Sequence, residues 1–326
     1  MSLKRLLALI TVCLALGCSS NSNNDNGTTD DEPQYNPSSS TIQLSSSSSI
    51  TPSSSSVKPS SSSITQSSSS VITGLRIDCT RQGLTNAVST YLAALTAGDH
   101  TLMPLTSSAK YYENDHTAPY NGNKAVPFGE GLWKTPLAPD HYMNLIDVDE
   151  CATFTEVILA STKPQYILGV RLKVSGNQIS DVFAVVTYEG HWLFNADNYL
   201  RYSKAEDWSL LPENQRLTRQ ELKNGAEAYF KYFSDKTVEV PWGIPCARLE
   251  GGAYTGDRPT STCNVGVPDL NMSIPTIWWL ADVDYGMVVL YVFFGGPDTH
   301  LFRILPTGYR YIHTLTAMQQ SDYQQP

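Results

Sequence analysis

The chain has 326 residues, and 22 basic residues against 31 acidic ones leave a formal charge of −9. No cluster of Lys and Arg interrupts that balance, so a phosphate backbone would be repelled and nucleic acid is not expected as a partner. An extended anionic polymer is disfavoured on the same ground, although a local basic pocket could still take one uronate or carboxylate.

Residues 1–17 have the layout of a secretory signal. Lys4 and Arg5 form the positive start, and Leu6 to Leu16 form an apolar run too short to span a membrane. The run ends in Leu14-Ala15-Leu16-Gly17-Cys18, which resembles the cleavage box of bacterial lipoproteins, with Cys18 as the lipidated residue. Ala15 departs from that box, which usually carries Leu, Val or Ile there, and an ordinary cleaved signal is the alternative. Residues 18–73 are mostly Ser, Asn, Thr, Asp and Pro. Ordering each residue costs about 1–2 kcal/mol of backbone entropy, and this stretch has almost no apolar area to offset it. It reads as a disordered serine-rich tether of the kind that resembles the linkers of secreted enzymes in polysaccharide-degrading bacteria. The expected location is the outer membrane or cell surface, with release from the cell as a variant. Membrane contact would be through the N-terminal lipid only.

Four cysteines remain once Cys13 and Cys18 are set aside: Cys79, Cys151, Cys246 and Cys263. Three pairings are open to them. The favoured one joins Cys246 to Cys263 around a short loop and Cys79 to Cys151 at the start of the folded part. A metal site is the alternative, but there is no C-x-x-C spacing to support it.

The folded part reads as one unit repeated. Residues 84–97 have a helical stripe of Val88, Tyr91, Leu92 and Leu95, then a proline at Pro104 and, nine residues on, Glu113. Residues 222–233 repeat the stripe as Ala226, Tyr229, Phe230 and Phe233, with Pro241 and, nine residues on, Glu250. Each unit ends in a predicted hairpin, turning at Gly176-Asn177 in the first and at Thr307-Gly308 in the second. Aligning Gly176 with Gly308 places Arg171 opposite Arg303 and Asp181 opposite His313. The expected division is 74–194 for the first unit, 195–217 for a link anchored by Trp208 and Pro212, and 218–320 for the second.

Helices leading into a bent antiparallel sheet resemble the α+β cone fold of the NTF2-like and SnoaL-like superfamily. The marks Cys79-Thr80-Arg81, Tyr112-Glu113-Asn114, Gly129-Glu130-Gly131-Leu132-Trp133, Cys246 to Gly252 and Asp298 to Arg303 also resemble an uncharacterised secreted family of fungi and bacteria. The resemblance implies two cones, each with a pocket at its wide end, packed side by side as a pseudo-dimer within one monomeric chain.

Chemistry is densest in the second unit. A two-residue Thr307-Gly308 loop would put His300 and His313 on one face of the hairpin, with Tyr311 beside them. A three-residue loop would separate them. Glu250 is expected to face the same hollow, flanked by Arg248 and Tyr254, and Gly251-Gly252 allows close backbone approach to another strand or to a ligand. In this reading His313 is the base, Glu250 its orienter or the acid, and Arg303 or Arg248 the anchor for a carboxylate or enolate. Arg303 alternates away from His300, which favours a structural role. Bland readings stand beside these: a satisfied histidine pair, and salt bridges of Glu113 and Glu250 to the arginine of their own unit. The first unit offers Glu113, Arg171, Asp181 and Trp133, whose indole could cover a sugar face or plug the cone.

No nucleotide loop, nucleophile elbow or zinc helix is present in the sequence, and no cofactor or metal is expected. Two functions fit. One is a secreted acid–base enzyme of lyase, isomerase or hydrolase type, working without a metal on a small or oligomeric, carbohydrate-derived substrate. The other is a non-catalytic, surface-displayed module that binds a carbohydrate or partner.

Overall fold

The computed structural model describes residues 75–114, 125–256 and 258–319. The signal, the serine tether and the lipidation position Cys18 lie outside the described residues. Helix α1, Arg81–Ala97, begins where the Thr80 side chain accepts from the Gly83 amide and ends at Gly98, whose φ of 64° closes the last turn. The first sheet follows, with β1 (Leu105–Glu113), β2 (His141–Asp147), β3 (Ala152–Leu159), β4 (Tyr166–Ser175) and β5 (Gln178–Thr187) in the order β1-β5-β4-β3-β2. Helix α2, Ala196–Ala205, lies in the link. Helix α3, Arg219–Lys231, opens on a reciprocal capping box of Thr218 and Glu221. The second sheet contains β6 (Ala247–Glu250), β7 (Ala253–Thr255), β8 (Trp278–Asp282), β9 (Met287–Phe293), β10 (Pro297–Leu305) and β11 (Gly308–Thr316). Its order is β7-β6-β11-β10-β9-β8.

The two sheets share one connectivity. In each, the strand that follows the helix pairs parallel to the last strand, β1 with β5 and β6 with β11, while the other pairings are antiparallel. The hairpins match residue for residue. Each has a two-residue turn, Gly176-Asn177 or Pro306-Thr307, and the same bulge three residues further on, at Ser180 or Arg310. Disulfides join Cys79 to Cys151 and Cys246 to Cys263.

One face of each sheet carries its own helix. Leu84, Val88, Tyr91 and Leu95 of α1 pack on Leu168, Val170, Leu172 and Ala184. Leu222, Ala226, Tyr229 and Phe230 of α3 pack on Val288, Leu290, Phe302 and Ile312. The other faces meet each other: Leu145, Ala152 and Phe154 share one cluster with Leu280, Met287, Val289 and Leu301. Burial on both faces explains why all eight residues of β3 are buried.

This arrangement corrects the cone expectation. The protein is α+β, but its sheets are mixed rather than antiparallel, and neither is strongly curled or closed. A cone needs a sheet free to wrap around its own helix. Here the second face of each sheet is covered by the other sheet, and the approach is close: a Cβ on Gly169 would lie 3.0 Å from Thr299 Oγ1.

Where the sheets meet at β2 and β8, the ion pairs are reciprocal. Arg81, at the start of α1, binds Asp282 of the second sheet through both terminal nitrogens, at 2.7 and 2.8 Å. Arg219, at the start of α3, binds Asp147 of the first sheet. Each aspartate also accepts a backbone amide across the interface, Ile146 to Asp282 at 3.1 Å and Ala281 to Asp147 at 2.8 Å.

Candidate functional site

The polar site lies between the second sheet and α3. Alternation along β6 turns Arg248 and Glu250 to one face, and their partners on β11 are Ile312 and Thr314. On β10, Asp298 and His300 pair with Thr316 and Thr314 and so point the same way. Arg248, Glu250, Asp298, His300, Thr314 and Thr316, with Tyr229 of α3 and Trp192, line a pocket holding about 30 Å³ of free space. Of the lining residues, Glu250, Gly266, Pro268 and Phe294 are the ones that reach solvent.

Asp298 is fully buried. One carboxylate oxygen lies 2.6 Å from His300 Nδ1 and the other accepts from the Thr316 hydroxyl at 2.6 Å. The imidazole is held by rings as well as by the carboxylate, with Phe230 edge-on at 4.8 Å and Tyr229 at 5.5 Å. Nδ1 is thereby committed to Asp298, and Nε2 is the ring nitrogen left for the pocket.

Arg248 is 3 % exposed, and its Nε lies 3.3 Å from Glu250 Oε2. Its one hydrogen bond goes to the Tyr229 hydroxyl at 3.5 Å. Burial opposes its charge, but Tyr229 and Glu250 outweigh that and raise the guanidinium above its ordinary value. Burial also raises the Tyr229 phenol. Glu250 Oε1 accepts from Trp192 Nε1 at 2.7 Å. Gly251-Gly252 makes that bond possible: both have positive φ, and a Cβ on either would strike the backbone of residues 192 to 195 at 2.3–2.5 Å. The close approach anticipated at these glycines is therefore to another stretch of chain.

The register corrects the expected histidine pair. The turn is Pro306-Thr307, and with the bulge at Arg310 it pairs His300 with Thr314 and His313 with Leu301. One residue of slip reverses a strand's faces, so His300 and His313 lie on opposite sides of the sheet. Glu250, beside Thr314, shares the side of His300 and not that of His313. The alignment of Gly176 with Gly308 is likewise two residues out. With the bulges matched, Phe183 stands opposite His313, Lys173 opposite Arg303, and Leu301 opposite Arg171.

His313 instead joins the two sheets. It is fully buried, with Nδ1 2.7 Å from Glu156 of β3 and Nε2 2.6 Å from Glu206. Tyr199 and Trp208 close around the ring at 5.4 and 5.0 Å. Desolvation works against the cation, yet the two carboxylates prevail and its pKa is pushed up to about 10. It lines none of the pockets described here and acts as an ionic clamp.

A family model described as "Domain of unknown function (DUF8021)" matches residues 215–316. That is under a third of the chain, but it runs from just before α3 to the end of β11 and carries every lining residue named above except Trp192. No curated protein matches the chain, and no solved structure does.

The remaining expected site residues do not converge on this pocket. Arg303 donates to the carbonyls of Asp207 and Ser209, tying the link to the sheet, and Tyr311 accepts from the Asp207 amide at 3.1 Å. Tyr254 stacks on Tyr202 at 4.0 Å. Arg171 pairs with Asp181 at 3.4 Å and lies 4.6 Å from the Trp278 ring, between the sheets. Trp133 is 3 % exposed and packs against Tyr91 and Tyr111, so it offers no face to a sugar. Glu113 accepts from the Tyr111 hydroxyl at 2.5 Å and the Leu132 amide at 3.1 Å, rather than pairing with Arg171. It lines an open pocket of about 410 Å³ with Tyr166, Tyr188 and Glu189. Asp298, Thr314, Thr316 and Trp192 were missed by the sequence reading. The signal available for Asp298 was alternation: it stands two residues before His300, on the same face of the strand.

Proposed function

We propose that the second unit is a general acid–base site for a small or oligomeric, carbohydrate-derived substrate, in an enzyme of lyase, isomerase or hydrolase type. His300 takes the role that the sequence assigned to His313. The observation that carries this reading is the 2.6 Å contact between Asp298 and His300 Nδ1 inside a pocket that also contains Glu250 and Arg248. A carboxylate accepting from Nδ1–H orients the ring and leaves the Nε2 lone pair as a base, while Glu250 is a second proton carrier on the same wall. In this proposal the catalytic body stands outside the cell on the serine tether, anchored through Cys18.

The test is NMR of uronates and plant and algal oligosaccharides in deuterated water, following both exchange of substrate C–H protons and cleavage of the substrate. His300→Gln is expected to slow exchange by at least about a hundredfold with little change in thermal midpoint. Equal rates in the variant, or neither exchange nor cleavage of any of these compounds, would sink the acid–base reading. A glycan-binding role is favoured by one feature, the open pocket of about 410 Å³ walled by Tyr166 and Tyr188. Titration calorimetry with the same oligosaccharides, lost in Tyr188→Ala and unchanged in His300→Gln, would select it.

A further inference from the structure

We infer that the molecule entering the second-unit pocket carries a carboxylate, and that Arg248 and Thr314 anchor it. This rests on reading the Asp298–His300 pocket as a ligand site, and it specifies the class of ligand.

The case begins with an under-used cation. A guanidinium has five N–H donors, and buried arginines normally spend them on short, charge-assisted bonds near 2.7–2.9 Å. Among the described residues Arg248, at 3 % exposure, makes a single hydrogen bond of 3.5 Å, and its Nε has no hydrogen-bond partner. Glu250 stands close enough to balance the charge, at 3.3 Å, without accepting that proton. Thr314 Oγ1 is a second buried polar atom with no partner, and it lies on the same wall. Leaving such groups unsatisfied is costly, and both face one cavity. A planar anion with two acceptor oxygens answers both, one oxygen to the guanidinium and the other to the hydroxyl.

Size and charge narrow the class. Free space of about 30 Å³ admits a carboxylate head and little more, so the rest of the molecule must extend past Glu250, Gly266 and Pro268. The ionisable groups facing His300 are Asp298 on its own strand, Arg248 and Glu250 on β6, and Tyr229 on α3. Arg248 is the cation among them, and an incoming carboxylate is placed against it.

Glycolate and its neutral isostere glycolamide are suitable probes, titrated against the full chain by ligand-observed NMR. Glycolate is expected to bind at least about tenfold more tightly than glycolamide. Thr314→Val removes an unpartnered hydroxyl, so it should leave the thermal midpoint unchanged or raised while weakening glycolate by about tenfold. Arg248→Met should abolish the preference for the acid; if that variant fails to fold, Thr314→Val still decides. Equal affinity for acid and amide, or no loss of glycolate binding in Thr314→Val, overturns the anchor and leaves the acid–base reading intact. Glycolate binding with the expected selectivity but neither proton exchange nor cleavage for any carboxylate supports the anchor and removes the catalytic reading.

Discussion

The two units have the same strand order, the same turn length and the same bulge, yet one has an apolar interior and the other a charged one. Matched through their registers, Leu168, Val170, Ala184 and Val186 of the first unit occupy the positions of Asp298, His300, Thr314 and Thr316 in the second. Tyr111 stands where Arg248 does, and Glu113 where Glu250 does. The first set shows that this fold needs no polar group there, since packing alone fills the space between helix and sheet. The second set buries an aspartate, a histidine and an arginine at a desolvation cost that a leucine or valine would avoid. A scaffold that is stable either way places the reason for the polar set outside stability.

The comparison breaks most visibly at the sheet interface, where the first unit has Phe183 at the position of His313. His313→Phe strips two buried carboxylates of their shared cation and should cost about 3–5 kcal/mol in urea unfolding at neutral pH. The same residue sets a pH dependence. Its pKa is about 10 when folded against an ordinary 6.5, so its stabilisation is complete below pH 6.5. It is lost progressively as pH rises toward 10, and His313→Phe should flatten that part of the profile. A profile unchanged by the substitution would mean that the clamp is neutral.

A smaller effect sharpens the central contrast. Asp298→Ala leaves His300 Nδ1 and the Thr316 hydroxyl without their acceptor and should cost about 1–3 kcal/mol. Installing the first unit's pair, Asp298→Leu with His300→Val, should bring stability back to within about 1 kcal/mol of the parent or above it, while removing any proton exchange. If the double variant is as weak as Asp298→Ala, the polar pair is there for folding and the argument from contrast fails. Smallest of all, Glu113→Gln keeps an acceptor for the Tyr111 hydroxyl and should shift stability by less than about 1 kcal/mol. It should leave glycolate binding in the second unit untouched, and a change there would show that the two pockets are coupled.

The repeated helix stripe, the hairpins and the glutamate nine residues after each proline are local patterns, and they were legible without coordinates. Glu113 and Glu250 do occupy matching places, beside Ala184 and Thr314. The side of the sheet on which each histidine falls was not legible, because it depends on the position of a turn and on one bulged residue at Arg310. Alternation has a period of two, so a single residue of error exchanges the faces and sends His313 from the pocket to the interface. The partners Glu156 and Glu206 lie 157 and 107 residues from His313 in the chain, and no spacing rule connects them.

Composition and periodicity alone therefore determined that a polar, serine-rich segment precedes the body, that one helix-and-hairpin pattern occurs in it twice, and which residue types carry charge. Tertiary structure decided that the sheets lie open against one another, that His300 rather than His313 meets Glu250 and Arg248, and that Arg248 is left with donors to spare. The division is physical. Local patterns come from the geometry of adjacent residues, whereas a site depends on which faces of distant strands are buried together, and that is set only when the whole chain packs.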